Sequence, residues 1–221
     1  MKKLSLQTSQ IGFFALTLFS VGGILASSKA SAVSADLHGY VMHVQMTPAV
    51  CALDRTKLKQ RKCSEGYSLT ITGLIPETTR SECRTGSSSK LSPIQTQVVS
   101  RVMPDENARA LLWQNVGGCI PMNASQYFRD IINKAQNLKI PTLLTGVENK
   151  TVQKSTLVSQ LYRLNPQLQK DSIHLSCYVG AGNKAILTSM QVCYKVNGQF
   201  KQCANNAVSN CPSSFTIMGS Y

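Results

Sequence analysis

The sequence predicts an α+β fold, an antiparallel sheet with flanking helices, stapled by disulfides. Three observations carry that expectation. First, short segments alternate apolar and polar residues near the start and again in the last third: "YVMHVQ", "YSLTITGL" and "AILTSMQVCYKV". Second, helical periodicity is concentrated between those segments instead of alternating strand by strand as in a wound parallel sheet. Third, the eight cysteines, Cys51, Cys63, Cys83, Cys119, Cys177, Cys193, Cys203 and Cys211, occur in a chain that opens like an exported protein. An even cysteine count in that context argues for disulfides. About a hundred pairings are possible, so the count alone selects none of them. Zinc is disfavoured, because the chain has no C-x-x-C pair and only three histidines.

The opening "MKKLSLQTSQIGFFALTLFSVGGILASSKASAVSA" has two lysines, an apolar run from Ile11 to Ala26, and small residues at Ala30 and Ala32. This is the pattern of a secretory signal peptide over residues 1–32, with cleavage after Ala32 or Ala35. The run is interrupted by Thr17, Ser20, Gly22 and Gly23, and is shorter than the roughly 20 residues that span a bilayer. No later stretch is apolar enough to span. Residues 36–221 then form a single domain, enough chain for one proper core. A monomer, exported to a bacterial periplasm or secreted, is expected.

Along that domain, Tyr40, Met42 and Val44 share one face of a first strand. A second strand, residues 67–74, places Tyr67, Leu69 and Ile71 opposite Ser68, Thr70 and Thr72; it is expected to end at Gly73, with Pro76 as the stop. Residues 84–92 read as a loop. Pro93 opens a helix to about Met103, capped by Ser92, with Ile94, Val98, Val99 and Met103 on its apolar side. "ENARALLWQN" is a second helix, capped by Asp105 and ended by Gly117 or Gly118. Residues 124–138 form the clearest helix, with Tyr127, Phe128, Ile131, Ile132, Ala135 and Leu138 in one stripe. A further helix covers Ser155–Leu164, capped at Lys154-Ser155, with Leu157, Val158, Leu161 and Leu164 inward. Strands follow over "SIHLSCYV" and "AILTSMQVCYKV", then an Asn197-Gly198 two-residue hairpin that brings Cys193 towards Cys203, and a last short strand.

Charge narrows the partners. The chain carries +13, and the leader removes Lys2, Lys3 and Lys29 but no acid, leaving +10. Five of the cations, Arg55, Lys57, Lys59, Arg61 and Lys62, lie between Cys51 and Cys63 beside one acid, Asp54. A solvated surface loop is one reading of this run; a contact for nucleic acid, another polyanion or anionic envelope lipid is the other.

Two segments carry a resemblance. "LTITGLIPETTRSEC" and "LLWQNVGGC" resemble, in order and spacing, the two signatures of the ribonuclease T2 family, roughly [FT]-[TL]-I-H-G-L-W-P with a downstream cysteine, and H-E-W-x-K-H-G-x-C. Ile71, Gly73, Leu74, Pro76 and Cys83 match the first; Trp113, Gly117 and Cys119 match the second. "VQMTPAVC", "PMNASQYF" and "CPSSF" resemble further family segments, the last in the bacterial periplasmic, ribonuclease I-like members, so the likeness spans residues 38–217. It implies a ribonuclease T2-like fold and the pairs Cys51–Cys63, Cys83–Cys119, Cys177–Cys211 and Cys193–Cys203.

The family cleaves RNA by attack of the substrate's own 2′-hydroxyl on the adjacent phosphate. The protein supplies a base, an acid and a cation. Carried onto this chain, those positions hold Thr72 in the first signature and Leu111, Leu112, Asn115 and Val116 in the second; Ile75 stands for the tryptophan before Pro76. None of these side chains titrates near neutral pH. The resemblance therefore implies a ribonuclease-fold protein without the family's proton chemistry, a pseudoenzyme needing no cofactor or metal. It would bind RNA, another polyanion or a protein partner in the old cleft, using neutral groups such as Thr72, Gln114 and Asn115 or the apolar pair Leu111 and Leu112. The alternative is an active endoribonuclease that forms 2′,3′-cyclic phosphates with relocated residues. Of His38, His43 and His174, His43 on the first strand is the candidate for that.

Overall fold

In this computed structural model residues 36–204 and 209–220 are described. The leader and its cleavage points lie outside them. No helix among the described residues is long and apolar enough to cross a membrane.

The alternating segments build one mixed sheet. Strand β1 (Leu37–Met46) pairs antiparallel with β2 (Leu69–Thr78) on one side and with β5 (Ala185–Tyr194) on the other. Strand β4 (Ile173–Val179) adds antiparallel to β5, and β3 (Lys150–Gln153) pairs with β6 (Ser214–Ile217). The expected antiparallel sheet has one exception: β6 joins β5 in parallel, through Ile186 and Thr216.

Register sorts the two faces of the sheet. Directly opposed residues point the same way. Thus Tyr40, Met42 and Val44 of β1, Leu74 and Ile71 of β2, and Tyr194, Val192 and Met190 of β5 share one buried face. The other face carries Val41, His43 and Gln45 beside Gly73 and Thr70 on one side and Gln191 and Ser189 on the other.

Six α-helices are described: α1 (Thr47–Leu53), α2 (Arg61–Ser64), α3 (Pro93–Ser100), α4 (Glu106–Val116), α5 (Ala124–Asn137) and α6 (Lys154–Leu164). Helix α5 has a complete capping box between Asn123 and Gln126. Its stripe buries Tyr127, Phe128 and Ile131 completely. The Tyr127 hydroxyl accepts from the Leu74 N–H at 3.2 Å and donates to the Leu74 carbonyl at 2.9 Å, tying α5 to β2. Lys134 is buried on the same helix. It is paired with Asp130 and lies 5.6 and 5.2 Å from the ring centres of Tyr40 and Tyr194.

Several expectations give way to tertiary context. Strand β2 does not stop at Gly73 or Pro76; it runs to Thr78 with Pro76 buried opposite Tyr40. This is possible because β2 is an edge strand, where a missing N–H breaks no ladder. Ile94, expected on the apolar side, is 77% exposed, because α3 is short and buries only Val99. Leu164 is 41% exposed at the end of α6. Asp105 precedes α4 without a side-chain cap bond, and α6 starts at Lys154 with Gln153 before it, also without one. Ser92 does cap α3, accepting from the Gln95 N–H.

The turn after β5 is a three-residue loop, since Lys195 N–H meets the Gln199 carbonyl and Gly198 N–H meets the Lys195 carbonyl. Only Gly198, with φ 85°, is left-handed; Asn197 is not, so the two-residue turn needing both is excluded. Helix α1 and strand β3 have no counterpart in the sequence reading.

Four disulfides join Cys51–Cys63, Cys83–Cys119, Cys177–Cys211 and Cys193–Cys203. The first closes the basic segment against α1, and the second ties the end of α4 to the chain after β2.

Candidate functional site

The two signature segments meet at the free edge of the sheet. In β2 the ladder steps from Gly73, opposite His43, to Ile71, opposite Val44. Thr72 is therefore the extra residue of a β-bulge, a device that re-aims a side chain. It is exposed, and its hydroxyl donates only a long 3.5 Å contact to the His43 carbonyl.

Helix α4 supplies the opposite wall, anchored by Trp113. That ring is 2% exposed, sits 5.6 Å from the Tyr127 ring, and donates from Nε1 to the Ser87 carbonyl and hydroxyl at 3.2 and 3.0 Å. The glycine pair after α4 is there for close approach. A Cβ on Gly117 would lie 2.6 Å from Thr85 Cγ2 and 2.9 Å from the indole. On Gly118 it would lie 2.5 Å from the Arg84 carbonyl oxygen, where Gly118 N–H already donates to the Cys83 carbonyl at 2.8 Å.

With that frame in place, the five positions in question are apolar or neutral. Leu112 is half-buried and reaches over Gly73, where an added Cβ would meet its Cδ1 at 3.0 Å. Leu111 is 59% exposed, Ile75 of the bulged strand is also exposed, Val116 points into the core and Asn115 is exposed. Among the described residues there is no group of three or more His, Cys, Asp or Glu side chains placed to hold a metal.

Titratable groups approach from elsewhere. His43 lies one strand in from the bulge, on the face that Gly73 and Leu112 share. Burial pushes its pKa below the ordinary histidine value, so the imidazole is neutral at pH 7. Across β5 it faces Gln191, and across β4 Gln191 faces His174. With strands about 4.8 Å apart, the two histidine backbones stand about 10 Å apart. Both ring nitrogens of His174 are buried without a hydrogen-bond partner. His38 is exposed at the start of β1.

Of the basic run, the fold brings Lys62 to the cleft. It lines a small cavity of about 60 Å³ together with Thr70, Thr72 and Asp105, and its ammonium donates to Gln45 Oε1 at 3.0 Å. Burial lowers its pKa, opposed by the nearby Asp105 carboxylate. Lys57 pairs with Asp54 at 3.2 Å and Arg61 with Glu65 at 2.6 Å, while Arg55 and Lys59 are exposed. Sequence reasoning grouped all five and missed that Lys62 alone lies with Thr72. The disulfide loop that carries it there has no signature in local periodicity. It also missed Gln191 and His174 as neighbours of His43, because cross-strand register is not a local property.

The fold is that of T2-type ribonucleases. RNase MC1 from the seeds of bitter gourd superposes with a TM-score of 0.63 at 17% identity, over 80% of this chain and 98% of that one. Japanese pear S3-RNase gives 0.62 at 19% identity, over 83% and 100%. An RNase-related protein from Calystegia sepium gives 0.63 at 17% identity, over 83% and 98%. No protein-family model matches the sequence, and no curated protein matches it.

Proposed function

We propose that this protein uses a ribonuclease T2-type fold to hold RNA by its phosphates without cutting it, as an exported pseudoenzyme. One observation carries the reading. The wall of α4 presents Leu111, Leu112 and Asn115, with no acid or base among them, while the cavity at the bulge keeps a half-buried cation, Lys62, beside Thr72 and Asp105. Losing a general acid or base typically costs about 100- to 10,000-fold in rate, and two are absent on this reading. Electrostatic binding needs neither. A chain of +10 after removal of its leader, with a cation and hydroxyls in a cleft, retains what phosphate contact requires. The resemblance to bacterial periplasmic members and the opening leader support the periplasm or the cell exterior as its location.

The test is retention of single-stranded RNA by the purified, disulfide-bonded protein as salt is raised. Affinity falling linearly on a log–log plot, with a slope of at least about −0.7, supports phosphate binding. A flat salt response or no retention rejects it, and capture of a protein or of anionic vesicles in its place would redirect the reading to those partners.

A second reading has its own observation. His43 is an imidazole directly across from Gly73, next to the bulge, on the same face as Gln45, which holds Lys62. An endoribonuclease with relocated groups would use that imidazole as its base or its acid. One imidazole fills only one of those roles in each step, which is why this reading ranks second.

A further inference from the structure

A groove of about 470 Å³ lies on the other side of Lys62, between α1, the basic segment and the start of β2. Its lining includes Arg55 and Lys62, the apolar surfaces of Pro48 and Leu58, and the side chain of Tyr67, and it contains no carboxylate. Of the five cations in this segment, Arg55 and Lys62 line the groove, while Lys59 is exposed outside its lining and has no ion-pair partner among the described residues. Lys57 and Arg61, which do not line the groove, are each neutralised by an acid. Arg55 and Lys62, which do, have no carboxylate within salt-bridge distance among the described residues. The Cys51–Cys63 disulfide lines the same groove and closes the loop that carries both cations, so they sit on a cross-linked frame. Leu58, 52% exposed, is an apolar surface in the same lining as two cations that have no salt-bridge partner among the described residues. A phosphate joined to a flat, weakly polar ring matches that combination.

We infer that this groove is a nucleotide-binding subsite. It takes one phosphate of a single-stranded RNA between Arg55 and Lys62, with the attached base against Leu58. Because Lys62 also lines the cleft at Thr72, a strand runs from the cleft into the groove past one shared cation. The inference rests on the RNA-binding reading and adds a second point of contact, outside the cleft at Thr72.

The experiment measures binding of adenosine 5′-monophosphate, adenosine, inorganic phosphate and a fluorescent ten-nucleotide oligouridylate to the disulfide-bonded protein. The variants are Arg55→Ala, Lys62→Met and Leu58→Ser, with Lys150→Ala, exposed on β3, as the control. Thermal melting checks that each is folded. Arg55→Ala and Lys62→Met are expected to weaken the monophosphate and the oligonucleotide about tenfold, and to lower the salt slope by about 0.7 each. Leu58→Ser weakens both about fivefold at unchanged slope, by removing the apolar base contact. Lys150→Ala is unchanged.

If the variants bind the oligonucleotide like the parent protein, the subsite is overturned while RNA binding stands. If inorganic phosphate or adenosine binds as tightly as the monophosphate, the nucleotide assignment is overturned. Monophosphate binding lost in Arg55→Ala, in a protein that retains no RNA, supports the groove and rejects the wider reading. No binding of any probe rejects both.

Discussion

Adding a single methyl group at Gly118 tests whether the glycine after Gly117 is required by close backbone packing between the end of α4 and the chain after β2. In Gly118→Ala the new Cβ would sit 2.5 Å from the Arg84 carbonyl oxygen and 2.8 Å from that of Cys83. Both are backbone atoms, and the Cys83–Cys119 bridge joins the neighbouring residues, so no side chain can swing away. Gly118 has no left-handed backbone angle, so the cost is contact alone. Relief requires the two segments to separate by about 1 Å, which strains the packing and lengthens the 2.8 Å bond from Gly118 N–H to the Cys83 carbonyl. Together these cost about 3 kcal/mol, which lowers the melting temperature of a domain this size by about 6–12 °C. Trp113, the single tryptophan and a buried one, reports unfolding by fluorescence. Gly86→Ala is the matched control, since nothing lies within 4 Å of its added Cβ. A Gly118→Ala protein melting with the parent would refute a packing role for Gly118.

Further outcomes follow from the same contacts. Replacing Cys83 and Cys119 together by serine should cost about 2–4 kcal/mol in non-reducing urea titrations, since the bridge closes a long loop. Asp130→Asn leaves the buried Lys134 without its partner, next to two tyrosine rings; it should destabilise by about 1–3 kcal/mol, more than Lys134→Met, which removes the charge and keeps the bulk. His43 has a pKa lowered by burial, so its contribution to stability is complete above pH 6.5 and is lost as pH falls towards the lowered value. The parent should therefore lose stability more steeply than His43→Gln as pH falls below 6.5, by urea titration at each pH; parallel curves would remove His43 as the cause.

The parts of the fold readable from sequence were those with local periodicity. Alternation in "YVMHVQ" identified the buried face of β1, and the stripe from Tyr127 to Leu138 identified the packed side of α5. What escaped was decided by neighbours distant in sequence. Pro76 continues a strand because β2 happens to lie at the sheet edge, and Ile94 is exposed because only Val99 of α3 meets the core. At the candidate site the neutral character of Thr72, Leu111, Leu112, Asn115 and Val116 is legible residue by residue. That Lys62 shares a cleft with Thr72, and that His43, Gln191 and His174 form a row, came only from the disulfide-closed loop and the strand register.

Prolonged incubation of the disulfide-bonded protein with single-stranded RNA, with product ends resolved chromatographically, separates holding RNA from cutting it. Intact RNA is expected, bound at low salt and released at high salt. Accumulation of 2′,3′-cyclic phosphate ends over many turnovers, abolished in His43→Ala, would contradict it.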